Sequence, residues 1–196
     1  MTLWRVLLLA YLLGSVSPSY LLGKYLRGID LRKHGSGNVG ATNTFRVLGK
    51  GPGTVVLLLD ILKGWVAVFL FPKWWSAPYS LFQESLLYPI LIGAAVIAGH
   101  NWTIFLRFRG GKGVATSFGV FLALAPSVCL LAFFVWAIVR LLTHKVSLGS
   151  LASALAFPIL VLVLHQPYSL FFFSLILTIS TFYTHRSNIR EIFSKR

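Results

Sequence analysis

Residues 54–71 read Thr-Val-Val-Leu-Leu-Leu-Asp-Ile-Leu-Lys-Gly-Trp-Val-Ala-Val-Phe-Leu-Phe, an apolar run that contains one acid, Asp60, and one base, Lys63. A run of this length spans the hydrocarbon core of a bilayer as a helix. Asp60 and Lys63 lie on one face of that helix, and charges inside a membrane are costly unless they are paired or face a cavity. The run therefore predicts a membrane-spanning helix whose ion pair is either structural or also shapes a site.

The composition of the chain extends this prediction to a polytopic membrane protein. The 196 residues are 57% hydrophobic and 11% charged, with a mean hydropathy of +0.80, whereas soluble domains are about 25% charged. The net charge of +14 fits basic loops that face anionic headgroups, and some of these cations are candidates for binding an anionic substrate. We predict an all-α membrane protein with a single domain, residues 1–196.

About seven transmembrane helices are predicted, one or more of them short or broken. Beside 54–71, the predicted spans are Leu3–Tyr25, Leu86–His100, the two halves of 114–139, Leu148–Leu164 and Tyr168–Thr184. Residues 73–84 carry little charge and are predicted to be external, with Trp74, Trp75 and Tyr79 in an interfacial belt. The basic loops then face the cytoplasm, with the N-terminus outside and the C-terminus inside.

The region 114–139 allows two interpretations. As one helix it would be about 39 Å long, which fits a single tilted crossing. The basic residues of 140–147 instead favour two crossings, because these keep that loop inside. A short helix followed by a fuller one, with a break near Ala125-Pro126, satisfies both arguments.

The end of the first span holds serines around a proline. Ser17 and Ser19 flank Pro18. Their hydroxyls either pack a Pro-bent helix against its neighbours or line a polar cavity.

The segment after the first span is rich in glycine. Residues 35–46 read Gly-Ser-Gly-Asn-Val-Gly-Ala-Thr-Asn-Thr-Phe-Arg and match the G-x-G-x-x-G dinucleotide fingerprint, but no strand precedes them and Asp60 lies in an apolar span. Glycines let backbone N–H groups turn towards an anion, and an arginine offers a bidentate fork for phosphate. An ordinary flexible turn is the alternative. The candidate phosphate ligands are Gly35, Ser36, Gly37, Asn38, Gly40, Thr42, Asn43 and Arg46.

A second glycine-rich segment precedes the helix predicted from Val114. It is not a P-loop, because Leu106 stands where a glycine is required and Gly113 follows the lysine. Glycines and a lysine at the start of a helix still favour an anion site, since free N–H groups and the helix dipole point there. The alternative is a basic turn against headgroups. The candidates are Gly110, Gly111, Lys112, Gly113 and Thr116, with His100 as a weaker one.

The C-terminal segment carries the third set of candidates. His185 and Asn188 share a face if the segment is helical, and His185 could act as a base or donate to phosphate. Glu191 is expected to pair with a nearby base. The sequence shows no metal-ligand cluster and no carboxylate pair for glycoside chemistry. Because 34–46, 99–117 and 184–191 all fall on the predicted cytoplasmic face, we expect one shared site.

In this order and spacing, the three segments resemble the bacterial acyl-phosphate–glycerol-3-phosphate acyltransferases of the PlsY type. The resemblance rests on residues 35–46, on Gly99-His100 with residues 108–116, and on residues 185–190. Gly14-Ser15 with Pro18 and Asp60 with Lys63-Gly64 also match. That family usually has proline where this chain has Val39, a departure that is expected to change the stiffness of the loop more than its chemistry.

The resemblance implies transfer of a fatty acyl group from acyl phosphate to the 1-hydroxyl of glycerol 3-phosphate in the bacterial inner membrane, on its cytoplasmic side. It implies active roles for His185, Asn188 and Ser36, an acyl-phosphate-binding loop at the second glycine segment, and a structural role for Glu191. No cofactor and no metal are implied. The rival interpretation is a membrane transporter for a small phosphorylated anion, which would use the basic loops and the Asp60–Lys63 pair.

Overall fold

A computed structural model describes residues 2–74 and 86–194, and within these ranges the regular structure is entirely helical, as predicted. The helices are α1 (Leu3–Ser15), α2 (Pro18–Arg27), α3 (Ala41–Leu48), α4 (Lys50–Trp74), α5 (Leu87–Asn101), α6 (Val114–Leu124), α7 (Pro126–Thr143), α8 (Val146–Val163), α9 (Tyr168–Thr184) and α10 (Arg186–Ser194). Short 3-10 turns at Leu31–Lys33 and Ile104–Leu106 precede the two glycine-rich segments.

The apolar helices agree with the predicted spans. Five helical segments in the described ranges are long and apolar enough to cross a membrane, namely Leu3–Arg27, Lys50–Pro72, Leu87–Leu106, Pro126–Thr143 and Val146–Val163. Val114–Leu124 and Tyr168–Thr184 are apolar but shorter, so the chain is a multi-pass membrane protein that has shorter apolar helices beside the longer ones. The sides on which the termini lie stay predictions. The predicted external segment 73–84, with Trp74, Trp75 and Tyr79, lies outside the residues whose side chains the structure describes.

The first span is broken rather than bent. α1 ends at Ser15 and α2 begins at Pro18, with Val16 and Ser17 extended between them. The break follows from Pro18, whose ring disfavours the helical conformation for the residue before it. Ser17 then caps α2, because its hydroxyl accepts a hydrogen bond from the Tyr20 N–H at 3.3 Å.

Ser19 has the packing role that was one of its two predicted alternatives. Its side chain is completely buried, and its hydroxyl lies 2.7 Å from the equally buried Thr44 hydroxyl of α3. The pair joins α2 to α3.

A second break falls where the sequence predicted it. α6 ends at Leu124 after 11 residues, and α7 begins at Pro126 and runs for 18 residues. The short helix followed by a fuller one is therefore confirmed. That the two helices cross the membrane separately stays a prediction.

The chain divides into two units, Met1–Ala123 and Leu124–Arg196. That they act as one domain stays a prediction. In the first unit, α1 and α5 approach closely at reciprocal glycines. A Cβ on Gly14 would overlap the Val96 carbonyl, and one on Gly99 would overlap the Tyr11 carbonyl. Because glycine has no side chain, the two helix backbones can approach closely at this crossing.

In the second unit, a proline and a threonine join α8 to α9. Pro158 lies inside α8 and has no N–H, so the carbonyl of Ala154 loses its helical partner. The Thr178 hydroxyl of α9 donates to that carbonyl at 2.6 Å. A neighbouring helix thus satisfies the backbone group that the proline frees, as apolar surroundings require.

Candidate active site

Asn43 holds the first glycine-rich segment in shape. Its side chain is buried, and its Oδ1 accepts a hydrogen bond from the Ser36 N–H at 2.9 Å. Its Nδ2 lies 3.4, 3.0 and 2.9 Å from the carbonyl oxygens of Leu31, His34 and Asn38, respectively. An amide group has two donor hydrogens and one acceptor oxygen, so these contacts occupy most of its capacity. The side chain that was predicted to contact phosphate acts, in this structure, as an internal brace.

Only half of the stretch 35–46 is a loop. Residues 41–48 form α3, which Gly40 precedes in an extended conformation. The helix is amphipathic, since it buries Leu48 on one face and exposes Thr42 and Arg46 on the other. Arg46 therefore projects from the last turn of a helix rather than from a flexible loop.

Ser36 and Arg46 present unengaged polar groups beside the glycine turn. Both side chains are exposed, and neither makes a hydrogen bond or ion pair with any residue in the described ranges. The turn itself depends on Gly35, at φ 61°, and Gly37, at φ 72°, a backbone conformation that residues with a Cβ rarely adopt. A hydroxyl and a guanidinium are thus available to an anion at this turn.

The second glycine-rich segment rests on the end of α5. The N–H of Gly110 donates to the Asn101 carbonyl at 3.1 Å, and the N–H of Gly111 donates to the His100 carbonyl at 2.9 Å. A Cβ on Gly110 would overlap the His100 carbonyl, and one on Gly111 would overlap His100 Nε2. Glycine is required here by close approach, and the segment leads into α6, whose first N–H groups have no partner within the helix.

Two other predicted phosphate contacts differ in accessibility. Lys112 is partly buried, whereas Thr116 is completely buried. The Thr116 hydroxyl has no hydrogen-bond partner among the described residues, and neither has the buried Asn101 Oδ1. Thr116 therefore lies beneath the surface of the segment rather than on it.

Arg32 ties the two glycine-rich segments together. Its Nη2 lies 2.7 Å from Asp30 Oδ2, and its Nη1 donates to the Leu106 carbonyl at 3.4 Å. The hydrogen bond from Arg32 is the main cause that lowers the pKa of Asp30 to about 2. Leu106 in turn packs in a buried cluster with Leu31, Val39 and Leu48. The structure thus brings the first and second segments together.

The Asp60–Lys63 pair is buried in the same unit as the two glycine-rich segments. Lys63 Nζ lies 2.8 Å from Asp60 Oδ1, so the two side chains form an ion pair. The ammonium also donates to the carbonyls of Gly14 and Val16, each at 3.0 Å, and contacts His100 Nδ1 at 2.9 Å. These carbonyls lie at the break between α1 and α2, where helical partners are missing. The predicted pairing is confirmed, and it also satisfies the broken helix.

The third segment belongs to the second unit. His185 follows α9, is buried, and has its Nδ1 2.8 Å from the Thr181 carbonyl. A carbonyl only accepts, so Nδ1 carries the hydrogen, and in the neutral form of the ring the lone pair is on Nε2. Asn188 is partly buried and Glu191 is exposed on α10. That this segment shares a face with the other two stays a prediction.

The comparisons with known proteins identify the family. Residues 4–195 match the family described as glycerol-3-phosphate acyltransferase. The chain belongs to that family. A glycerol-3-phosphate acyltransferase of Synechococcus elongatus is 46% identical over 194 residues, which cover 95% of this chain and 89% of the relative. The predicted resemblance is thereby confirmed.

Solved structures of an acyltransferase of this family have the same fold. The crystal structure of PlsY, an integral membrane glycerol 3-phosphate acyltransferase, in its glycerol 3-phosphate form superposes with a TM-score of 0.89 at 36% identity, covering 99% of this chain and 93% of that one. Its lysophosphatidic acid form gives a TM-score of 0.86 at 34% identity, with the same coverage. The chain is accordingly an acyltransferase-family membrane protein over nearly its whole length.

Within this acyltransferase, the sequence left two features unrecognised. Arg32 was not singled out from the other basic loop residues, although the spacing Asp30-x-Arg32 just before the glycines was a signal for a local ion pair. His100 was a weak candidate for the site, and its contact with Lys63 was unforeseen because the two residues lie 37 positions apart. Among the described residues, no three histidine, cysteine or acidic side chains are grouped to hold a metal ion.

Proposed function

We propose that this protein transfers a fatty acyl group from acyl phosphate to the 1-hydroxyl of glycerol 3-phosphate. The products are 1-acylglycerol 3-phosphate, that is lysophosphatidic acid, and inorganic phosphate. Family membership supports the acyltransferase activity, and the two PlsY structures, in glycerol 3-phosphate and lysophosphatidic acid forms, support the acceptor and the product. The acyl phosphate donor rests on the sequence resemblance to the PlsY type.

The observation that carries the proposal is the pairing of two glycine-rich segments in a membrane-embedded unit. Both substrates carry phosphate, so the reaction needs two anion sites, and the segments 35–46 and 110–116 are joined by Arg32 and Leu106. In the first, Ser36 and Arg46 are accessible donors beside the turn. The second offers backbone N–H groups and Lys112 at the start of a helix, a favourable place for negative charge.

We assign binding of the two phosphates to the two glycine-rich segments, and the reaction itself to the C-terminal segment. The backbone of Gly35, Gly37 and Gly40 and the side chains of Asn38, Thr42 and Arg46 are proposed for the first segment, with Ser36 as a hydrogen-bond donor. Gly110, Gly111, Lys112 and Gly113 are proposed to bind the acyl phosphate, and Thr116, which is buried beneath them, to support the segment. His185 and Asn188 are proposed to act on the reacting groups, and Glu191 to hold their segment.

The proposed mechanism is direct attack of the glycerol 1-hydroxyl on the carbonyl carbon of the donor. Acyl phosphate is already activated, because phosphate is a good leaving group, so positioning and stabilisation of charge on the carbonyl oxygen account for most of the catalysis. His185 Nε2, which bears the lone pair in the neutral tautomer, or a substrate phosphate oxygen takes the proton. The rival is a covalent acyl-Ser36 intermediate. Ser36 has no hydrogen-bonded base among the described residues, which favours direct attack.

The charge pattern supports a location for this chemistry. The glycine-rich segments are flanked by cations, which favours the cytoplasmic side of a bacterial inner membrane. An acyl chain can remain among the apolar helices there while its phosphate meets the polar segments.

The deciding experiment uses purified protein in detergent or lipid with acyl phosphate and glycerol 3-phosphate. We expect release of inorganic phosphate in equal amount to lysophosphatidic acid. Acyl-CoA and acyl carrier protein donors are run in parallel, and activity with these alone would exclude acyl phosphate as the donor. Counterflow of glycerol 3-phosphate in vesicles without acylated product would instead support a transporter.

A further inference from the structure

The imidazole of His100 lies between a buried ammonium and the backbone of the second glycine-rich segment. Its Nδ1 lies 2.9 Å from Lys63 Nζ and 3.4 Å from Asp60 Oδ1. On the opposite edge of the ring, Nε2 is the atom nearest to the position that a Cβ on Gly111 would take. The residue is only 6% exposed, so the ring is packed on both edges. A shift of the ring would therefore shift Gly111.

Lys63 is itself held in place from several directions. Asp60 faces it from one turn earlier in α4, and the carbonyls of Gly14 and Val16 accept from it at the break in the first span. The intervening carbonyl, that of Ser15, accepts from the Thr103 hydroxyl at 2.7 Å. The broken first span, α4 and the end of α5 thus meet at this ammonium, which lies deep in the protein and away from solvent.

We propose that Lys63 and His100 are positioning residues for the segment Gly110–Gly113. Lys63 fixes the orientation of the His100 ring, and the ring sets the position of Gly111 and hence of the backbone N–H groups at the start of α6. The proposal deepens the proposed function and rests on its assignment of this segment to the acyl phosphate. Neither residue contacts substrate. Their effect is that the segment is already ordered when the donor arrives, so that less conformational entropy is lost on binding.

Steric relief tests the contact between His100 and Gly111. In G111A the new methyl group overlaps the imidazole, and we expect the KM for acyl phosphate to rise at least about ten-fold, since small misplacements at a reacting group are costly. His100→Ala removes the ring and makes room. The double variant H100A/G111A should therefore have a KM close to that of H100A alone.

The adjacent glycine provides a matched control. A Cβ on Gly110 overlaps the main-chain carbonyls of His100 and Asn101, which remain in H100A. The KM of G110A should stay raised in H100A/G110A. The proposal is overturned if H100A restores the KM of both glycine variants or of neither. An unchanged KM in G111A would also overturn it.

The role of Lys63 is tested with its partner neutralised. Lys63→Met alone leaves Asp60 buried without its counter-charge, so the paired change D60N/K63M is used and its folding is checked by thermal unfolding. We expect a raised KM for acyl phosphate, again about ten-fold or more, with the KM for glycerol 3-phosphate within about two-fold of wild type. Unchanged constants for both substrates in the folded variant would remove Lys63 from this role. If D60N/K63M fails to fold, Lys63→Arg takes its place, because it keeps the counter-charge of Asp60 but moves the donor that faces the ring. An unchanged KM for acyl phosphate in folded K63R would likewise remove Lys63 from this role.

The failure of this inference and of the proposed function are distinguishable. Steric relief can also be measured without enzyme turnover. The unfolding midpoints of G110A and G111A are compared with those of the same variants combined with H100A. If the wild type releases no phosphate, the proposed function fails. The contact of His100 with Gly111 is still supported if H100A restores the unfolding midpoint of G111A but not that of G110A. If the wild type is active and the relief is absent, the positioning role alone fails.

Discussion

Asn43 Oδ1 accepts a hydrogen bond from the backbone N–H of Ser36 at 2.9 Å, across a turn that contains Gly37 and Gly40. The same amide lies within hydrogen-bonding distance of three carbonyl oxygens of the segment. One buried side chain therefore determines where the exposed Ser36 hydroxyl and its flanking glycines lie relative to α3.

Replacement of Asn43 should damage folding before it damages binding. N43A leaves buried backbone groups unpaired, which costs about 1–3 kcal/mol in unfolding free energy, and N43D should be no better because its carboxylate faces carbonyl oxygens. Unfolding in detergent measures the loss, with the exposed Thr42→Ala as the control for stability. An N43A protein of wild-type stability whose KM alone has risen would instead favour direct contact of Asn43 with phosphate.

Arg46 should matter for substrate and little for the fold, since its guanidinium is exposed and has no partner among the described residues. We expect R46A to lower kcat/KM by about 100-fold or more, the effect of losing a charge-assisted contact of several kcal/mol. R46K should be intermediate, because lysine has no bidentate fork. The control is Lys50→Ala, an exposed cation nearby. Kinetics of R46A equal to those of K50A would remove Arg46 from the site.

The chemical role of Ser36 can be decided by trapping. Direct attack predicts that wild-type protein, incubated with radiolabelled acyl phosphate and quenched in acid, carries no covalent acyl group. Ser36→Ala should then keep measurable turnover with a lowered kcat/KM, because only a hydrogen-bond donor has been lost. Label retained on wild type and absent from S36A would establish the acyl-Ser36 intermediate instead.

The Asp30–Arg32 pair should make stability fall in acid. The pKa of Asp30 is lowered to about 2 from its ordinary 3.8 by the hydrogen bond from Arg32. Its stabilising contribution is therefore complete above about pH 4 and is lost as the pH falls towards 2. The shift corresponds to at most about 2.5 kcal/mol, which solvent screening reduces towards about 1.

Asp30→Asn should remove this dependence. The difference in unfolding free energy between wild type and D30N is expected to shrink between about pH 4 and pH 2. Arg32→Gln serves as the matched variant, because it should abolish the same pH dependence while leaving the carboxyl in place. If the unfolding free energy of wild type and of R32Q changed equally with pH over this range, the Asp30–Arg32 pair would be ruled out as the source of the pH dependence.

Thr178 and Pro158 should be energetically coupled. Thr178→Val leaves the Ala154 carbonyl without a donor and is expected to cost about 1–2 kcal/mol of unfolding free energy. In P158A the helix regains the N–H that serves this carbonyl, so the same change should cost less in that background. Thr178→Ser keeps the hydroxyl and is the control. Equal costs of T178V in both backgrounds would show that the hydroxyl does not compensate for the proline.

Much of the fold was predictable because the hydrocarbon core of a bilayer accepts mainly apolar helices, which are visible in the composition of the sequence. Long apolar runs specify membrane helices locally, so they predicted the spans. The charge of the loop 140–147 predicted the break before Pro126, and the three-residue spacing predicted the Asp60–Lys63 pairing. The break at Pro18 was underestimated as a bend, because its stability depends on a lysine from another helix that satisfies the freed carbonyls.

The order and spacing of three polar motifs were enough to predict the family, which the comparisons confirm, and to select the candidate residues. Tertiary structure alone decided which of these residues are accessible and which act as braces. Asn43 is enclosed by its own segment, Arg46 projects from a helix, and His100 connects the buried Lys63 to Gly111. The physical reason is that hydrogen-bond partners and steric contacts between residues tens of positions apart depend on how the helices pack, which local sequence patterns do not encode.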